Sequence, residues 1–200
     1  MLDFDGVIAD SFGVTAAAQV AVMNAHGFPR LASAEALLRM VEDNWFEGMR
    51  AQGVPDAVGV EIDEFVARAL AAGEFGPFGD IPRVVGRLGA RHEVLVVTSN
   101  RGDIVEGFLR RYSIAGVAGV LGNDVATSKV DKIALARARH TGSGGAWYVG
   151  DTVGDMAEAR SAGVGTIAAA WGWHTRAQLE RAAPDHVAST PADLLTLLGA

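Results

Sequence analysis

The sequence predicts an α/β fold: a mainly parallel five-stranded sheet with helices around it, and an all-helical insert near the N-terminus. Three observations lead there. Short β-branched runs alternate with helical stretches through the C-terminal half. Residues 12–72 hold amphipathic or alanine-rich stretches and no convincing strand. The residues able to do chemistry fall at the ends of the apolar runs, or just after them, where open α/β sheets bind ligands.

Taken in order, the first strand is a stub. A buried strand ending at Asp3 should have roughly four to six apolar residues before the acid, and only Met1 and Leu2 precede it. This shortening is expected to loosen the position of Asp3. Helices are expected over 15–25, 33–41, 44–51 and 61–72, with Gly27, Gly53 and Gly73 as stops. The Gly/Pro-rich stretch 73–79 suits a hinge or turn, and Pro82 fits the start of a helix leading to Gly89. Strands over 94–98, 117–121, 146–149 and 165–169 then alternate with helices over 103–112, 129–140 and 153–161, and Gly163 is expected to cap the last helix. Strand–helix alternation of this length implies right-handed crossovers and a parallel sheet. The expected division is a core of residues 1–11 and 80–200, with a helical cap of residues 12–79.

Composition narrows the functional classes. The 200 residues are 50% hydrophobic and 20% charged, ordinary for a soluble globular protein. A net charge of −7 argues against general nucleic-acid binding, which needs cationic surface to displace counterions. There is no cysteine, which rules out disulfides, thiol nucleophiles and cysteine metal sites. No apolar run approaches the ~20 residues of a membrane helix, and no signal-peptide pattern opens the chain. A cytoplasmic protein with no membrane or nucleic-acid partner is expected.

Four segments carry the chemistry. In Asp3-Phe4-Asp5-Gly6, an extended chain turns both carboxylates the same way, so one can attack phosphorus while the other protonates a leaving oxygen. Gly6 permits a sharp exit from the strand. Thr98, at the end of an apolar run, can hydrogen-bond a phosphoryl oxygen, with Ser99 and Asn100 following it. Lys129 can neutralise charge shared by carboxylates and phosphate; Lys132 stands close by and remains open as a substitute. Asp151 follows a strand and Asp155 opens a helix, and such oxygen ligands suit a hard cation like magnesium. Each pattern alone also has an ordinary structural use, as a turn, a helix cap or a solvated lysine. Together they are far more specific. A phosphate dianion near ionised aspartates is opposed by about 4 kcal/mol per charge pair at 4 Å with an effective dielectric near 20, so a divalent cation and a lysine are needed.

These residues, in this order, resemble the four motifs of the haloacid dehalogenase superfamily: Asp3-Phe4-Asp5-Gly6, Thr98, Lys129 and Gly150-Asp151-Thr152-Val153-Gly154-Asp155. The resemblance covers nearly the whole chain and implies a Rossmann-like core with a small α-helical cap. It also implies a phosphoric monoester hydrolase. Asp3 would be nucleophile and metal ligand, and Asp5 the acid/base, binding metal through its carbonyl. Thr98 would bind phosphate with Gly6, Ser99 and Asn100, Lys129 would stabilise charge, Asp151 would complete a Mg2+ site, and Asp155 would act at or just behind the metal shell.

Asp10-Ser11, Ala162-Gly163-Val164, Trp171-Gly172 and Pro184-Asp185 are similar to the phosphoglycolate phosphatase-like group, whose third motif usually reads Lys-Pro rather than Lys129-Val130. That likeness implies a small, phosphoglycolate-like phosphomonoester as substrate. A phosphomutase of the same superfamily and a catalytically impaired binding protein are the alternatives. Phosphonate cleavage usually employs a cap lysine, and residues 12–72 contain none. In the cap, Trp45, Arg39 and Arg50 are expected to be structural or solvent-facing, and Trp171 and Trp173 either border the site or pack a loop.

Overall fold

The computed structural model describes residues 1–42, 44–140 and 144–200. Strands β1 (Val94–Val97) and β2 (Val117–Leu121) pair in parallel, as do β3 (Trp147–Gly150), β4 (Gly165–Ala169) and β5 (His186–Ala188). The expected single five-stranded sheet is thus present as a two-stranded and a three-stranded ladder. Between them runs the N-terminal stub, which is too short to count as a strand. Leu2 makes parallel bridges to Val96 on one side and Val149 on the other. Its amide donates to Leu95 O, its carbonyl accepts from Val97, and the Asp3 amide donates to Val149 O. The stub is held by its neighbours on both edges.

Alternation along the strands decides how the helices pack. Leu2, Val94, Val96, Val149, Ile167 and Ala169 belong to one cluster, with α5 (Ile81–Gly89), α6 (Gly102–Arg111) and α10 (Asp193–Leu197) packed on it. Val97, Leu121 and Tyr148 belong to a second, with α7 (Lys129–Arg139) and α8 (Val153–Ser161). Apolar side chains on both faces explain why these strands read as continuous apolar runs. Strand β5 and helices α9 (Arg176–Arg181) and α10 were not expected from the sequence. Each is only three to six residues long, below the length at which periodicity speaks.

The insert holds α1 (Phe12–Ala25), a 3-10 turn (Pro29–Leu31), α2 (Ala34–Met40), α3 (Trp45–Ala51) and α4 (Asp56–Ala72). Helix α1 packs on α2 and α4, and α3 on α2 and α4. Helix α4 starts five residues before the expected 61. Gly59, which weakens the helical signal there, sits where a Cβ would come 2.7 Å from Met49 Cε. That glycine lets α3 lie close against α4. Helix α4 ends at Gly73, whose φ of +78° closes a left-handed cap. The returning chain then pairs with the outgoing one: Asp10 N donates to Gly76 O, and Phe78 N to Ile8 O.

Candidate active site

The stub, β1 and β3 end side by side, and their exits bring the predicted residues together. Asp3 is 5% exposed; its Oδ1 accepts the Phe4 amide at 2.7 Å and its Oδ2 accepts Lys129 Nζ at 2.6 Å. The same ammonium donates to Asp155 Oδ1 at 2.5 Å. Lys129 reaches this point because Ser128 caps α7, its hydroxyl accepting the Asp131 amide, so the side chain leaves from the first turn. Lys132, one turn on and fully buried, donates instead to the carbonyl of Thr98. These are the chain's only two lysines. One neutralises the carboxylates; the other ties down the strand end that carries Thr98.

Asp155 closes a reciprocal capping box with Thr152, and its Oδ2 accepts from the Asp151 amide, the Thr152 amide and the Thr152 hydroxyl. Burial opposes its ionisation, but Lys129 and the Thr152 donors prevail and hold its carboxyl below the usual range. Asp151 is different. Its Oδ2 accepts the Trp173 amide at 2.7 Å, while its buried Oδ1 has no partner. Burial, then the charges of Asp155 and Asp3, push its carboxyl well above the usual range. Burial likewise raises Asp3 to about 7 against the pull of Lys129. One oxygen from each of Asp3, Asp151 and Asp155 lies within 4.8 Å of the others.

Asp5 is held from two sides. Ser11 Oγ donates to its Oδ1 at 2.6 Å and Asn100 Nδ2 to its Oδ2 at 3.0 Å. Burial raises its carboxyl above the ordinary value despite these donors. Thr98 Oγ1 accepts the Asn100 amide, which leaves the hydroxyl proton to donate. Ser99 lines the cavity beside it. Asn100 is committed by side chain and backbone to Asp5, Arg101 and Asn123. The Gly6 amide donates to Ala9 O, so what Gly6 brings to the site is the room it leaves. Ser11, spent on Asp5, makes no side-chain cap to the α1 that it precedes.

A cavity opens from these residues toward the insert, walled by Leu37, Val41, Ile62 and Val66 and by the rings of Trp45 and Trp173. Two acids in its wall were not singled out by the sequence: Asp63 on α4 and Glu158 on α8. Asp63 lies on the stripe Gly59, Asp63, Val66, Leu70 at helical spacing, so an acid interrupting an apolar face was the available signal. Burial, then the charge of Asp5, raises Asp63 to about 7. Asn44 Nδ2 donates to Glu158 Oε1 at 3.2 Å, and Leu38 O lies 3.1 Å from His174 Nε2, so the insert bonds to the core on this side. Arg50 pairs with Asp56 at the surface, and Arg39 is exposed. Trp171 packs a loop, donating to Val7 O.

An α/β sheet that gathers a buried aspartate cluster and two buried lysines at the exits of its strands defines a hydrolase class. The chain belongs to the haloacid dehalogenase-like hydrolase family, whose model matches residues 1–169. It is 27% identical over 207 residues to a phosphoglycolate phosphatase of Synechococcus elongatus, across 98% of this chain and 94% of that protein. Among solved structures, its fold is similar to a haloacid dehalogenase-like hydrolase of Streptococcus pneumoniae (TM-score 0.76, 22% identity, 98% and 96% of the two chains). It is also similar to a hydrolase of Pseudomonas syringae (TM-score 0.79, 18% identity, 99% and 96%). No helix among the described residues is long and apolar enough to cross a membrane.

Proposed function

We propose that this chain is a magnesium-dependent phosphatase of the cytoplasm, hydrolysing a small phosphomonoester of phosphoglycolate-like size through an aspartyl-phosphate on Asp3. The carrying observation is the pairing of Asp3 with the Lys129 ammonium while the neighbouring Asp151 keeps a buried oxygen without a partner. Asp3 attacks phosphorus as the bond to the leaving oxygen breaks, and that oxygen takes the Asp5 proton. Asp5, now ionised, takes a proton from water, whose oxygen attacks the aspartyl-phosphate, releases phosphate and restores Asp3. Ser11 and Asn100 fix the Asp5 carboxyl, and the raised affinity of Asp5 for its proton suits the acid role. Thr98 and Lys129 would hold phosphoryl oxygens, with Ser99 beside them.

The residues fit a divalent cation. Three carboxylates are buried together, the Lys129 ammonium bonds two of them, and one oxygen of the third, Asp151, is orphaned, which is the environment an oxygen-seeking ion relieves. Asp3, the Asp5 carbonyl and Asp151 would hold Mg2+. Asp155, its oxygens already taken by Lys129, Thr152 and the Asp151 amide, would stand behind them as a support. When bound, the ion supplies the positive charge that lets a phosphate dianion approach the carboxylates. Residues 1–11 and 80–200 would form the catalytic core, and residues 12–79 a cap that excludes bulk water.

The test is phosphate release from a panel of small phosphoesters, with and without magnesium. Turnover that vanishes on chelation and returns with the metal is expected. Metal-independent turnover, or none on any ester, contradicts the reading.

A further inference from the structure

Beyond the aspartate cluster, two further acids, Asp63 and Glu158, line the cavity. Lys129 is the sole basic residue among the described residues lining the cavity, and Asp3 and Asp155 already claim its ammonium. Arg101 lies outside the lining, its guanidinium engaged by both oxygens of Asp103. Asp63 and Glu158 each have one oxygen against an asparagine amide, Asn123 at 3.4 Å and Asn44 at 3.2 Å. The second oxygen of each has no hydrogen-bond partner among the described residues. The indole nitrogens of Trp45 and Trp173, which also line the cavity, are buried without partners as well.

We infer that the site selects a phosphomonoester whose leaving group donates hydrogen bonds and carries no negative charge: a small polyol or amino-alcohol phosphate rather than a carboxylated one. Asp63, on α4, is the specificity-determining residue. Its open oxygen accepts from a hydroxyl or ammonium on the leaving group and, in the ionised form, repels a carboxylate. The indole N–H groups need acceptors, which a hydroxyl oxygen supplies and an ammonium does not. Ile62 and Val66 on α4 leave room for a carbon skeleton. The substrate named for the Synechococcus relative bears a carboxylate, which here would meet two acids, while the nearby cations Arg101 and Lys129 are already engaged by Asp103 and by Asp3 and Asp155. This inference rests on the phosphatase reading above.

The experiment compares kcat/KM for three near-isosteric esters, 2-hydroxyethyl phosphate, O-phosphoethanolamine and 2-phosphoglycolate, with p-nitrophenyl phosphate as a control. Both non-anionic esters should exceed 2-phosphoglycolate by at least about tenfold, and their order tells hydroxyl from ammonium. Asp63→Asn should narrow that ratio several-fold, and Asp63→Arg should shift it toward 2-phosphoglycolate. Ratios do not depend on the fraction of each variant that folds. A preference for 2-phosphoglycolate with an active control overturns this inference alone, as does an unchanged ratio in Asp63→Asn. Failure on every ester, the control included, overturns the phosphatase reading and this inference with it.

Discussion

A Cβ on Gly6 would lie 1.9 Å from Asp151 Oδ2, so the first and fourth motifs touch through an absent side chain. Gly172 closes on Asp151 from another direction, where a Cβ would come 2.3 Å from the aspartate's own Cβ. Gly6 also has a φ of +77°, which side chains rarely adopt. Gly6→Ala should therefore lower stability by about 1–3 kcal/mol for the backbone alone and displace Asp151. Thermal melts with a magnesium titration check this: weaker metal binding is expected even in the folded fraction, and wild-type affinity would contradict it.

The two lysines should separate cleanly. Lys129→Met leaves Asp3 and Asp155 buried without their cation, which should lower stability by about 3–5 kcal/mol and turnover by about 10²-fold or more. Lys132→Met frees only the Thr98 carbonyl, at a loss of about 1–3 kcal/mol, with turnover within about tenfold of wild type. Denaturant unfolding and steady-state kinetics on both variants give the comparison. Equal catalytic losses would contradict the division of roles.

Asp5→Asn removes the proton donor but keeps the hydrogen-bond acceptor toward Ser11. Turnover of alkyl phosphates should fall by about 10²–10⁴-fold. Hydrolysis of p-nitrophenyl phosphate, whose leaving group needs no proton, should fall less in the step that forms the aspartyl-phosphate. Single-turnover measurements on both esters check this. Identical losses in that step would contradict the acid role.

The metal-free protein should lose stability as pH rises from about 4 to 6. The folded-state pKa values of Asp3 and Asp63 are raised from 3.8 to about 7. In that window the folded chain keeps protons that the unfolded chain has released, so each group lowers stability progressively as the pH rises. Magnesium should remove the part due to Asp3, because the ion binds its ionised form. Urea unfolding at several pH values, with and without the metal, measures it. Metal-free stability that is flat or rising over the window would contradict the crowded-carboxylate picture.

Much of this site was legible because parallel strands put their exits at one edge: Asp3, Thr98, Lys129 and Asp151 meet there as strand spacing implied. Periodicity also located the longer helices. It missed β5, α9 and α10, whose few residues carry no period, and it placed the start of α4 too late because Gly59 answers to Met49 rather than to helix propensity. Asn100 reads in sequence as a phosphate neighbour, yet its amide serves Asp5, a partner 95 residues away. The stub was expected to leave Asp3 loose; hydrogen bonds to β1 and β3 hold it from both sides, a pairing that only the fold reveals. Asp63 and Glu158 were overlooked because acids on amphipathic helices ordinarily face water.

The most direct test of the account is acid quenching of the enzyme during turnover, followed by peptide mass spectrometry. A phosphoryl group on the peptide bearing Asp3, absent in Asp3→Asn together with turnover, is the predicted result. Turnover that persists in a folded Asp3→Asn variant, with no phosphorylated aspartate trapped in the wild type, would contradict it.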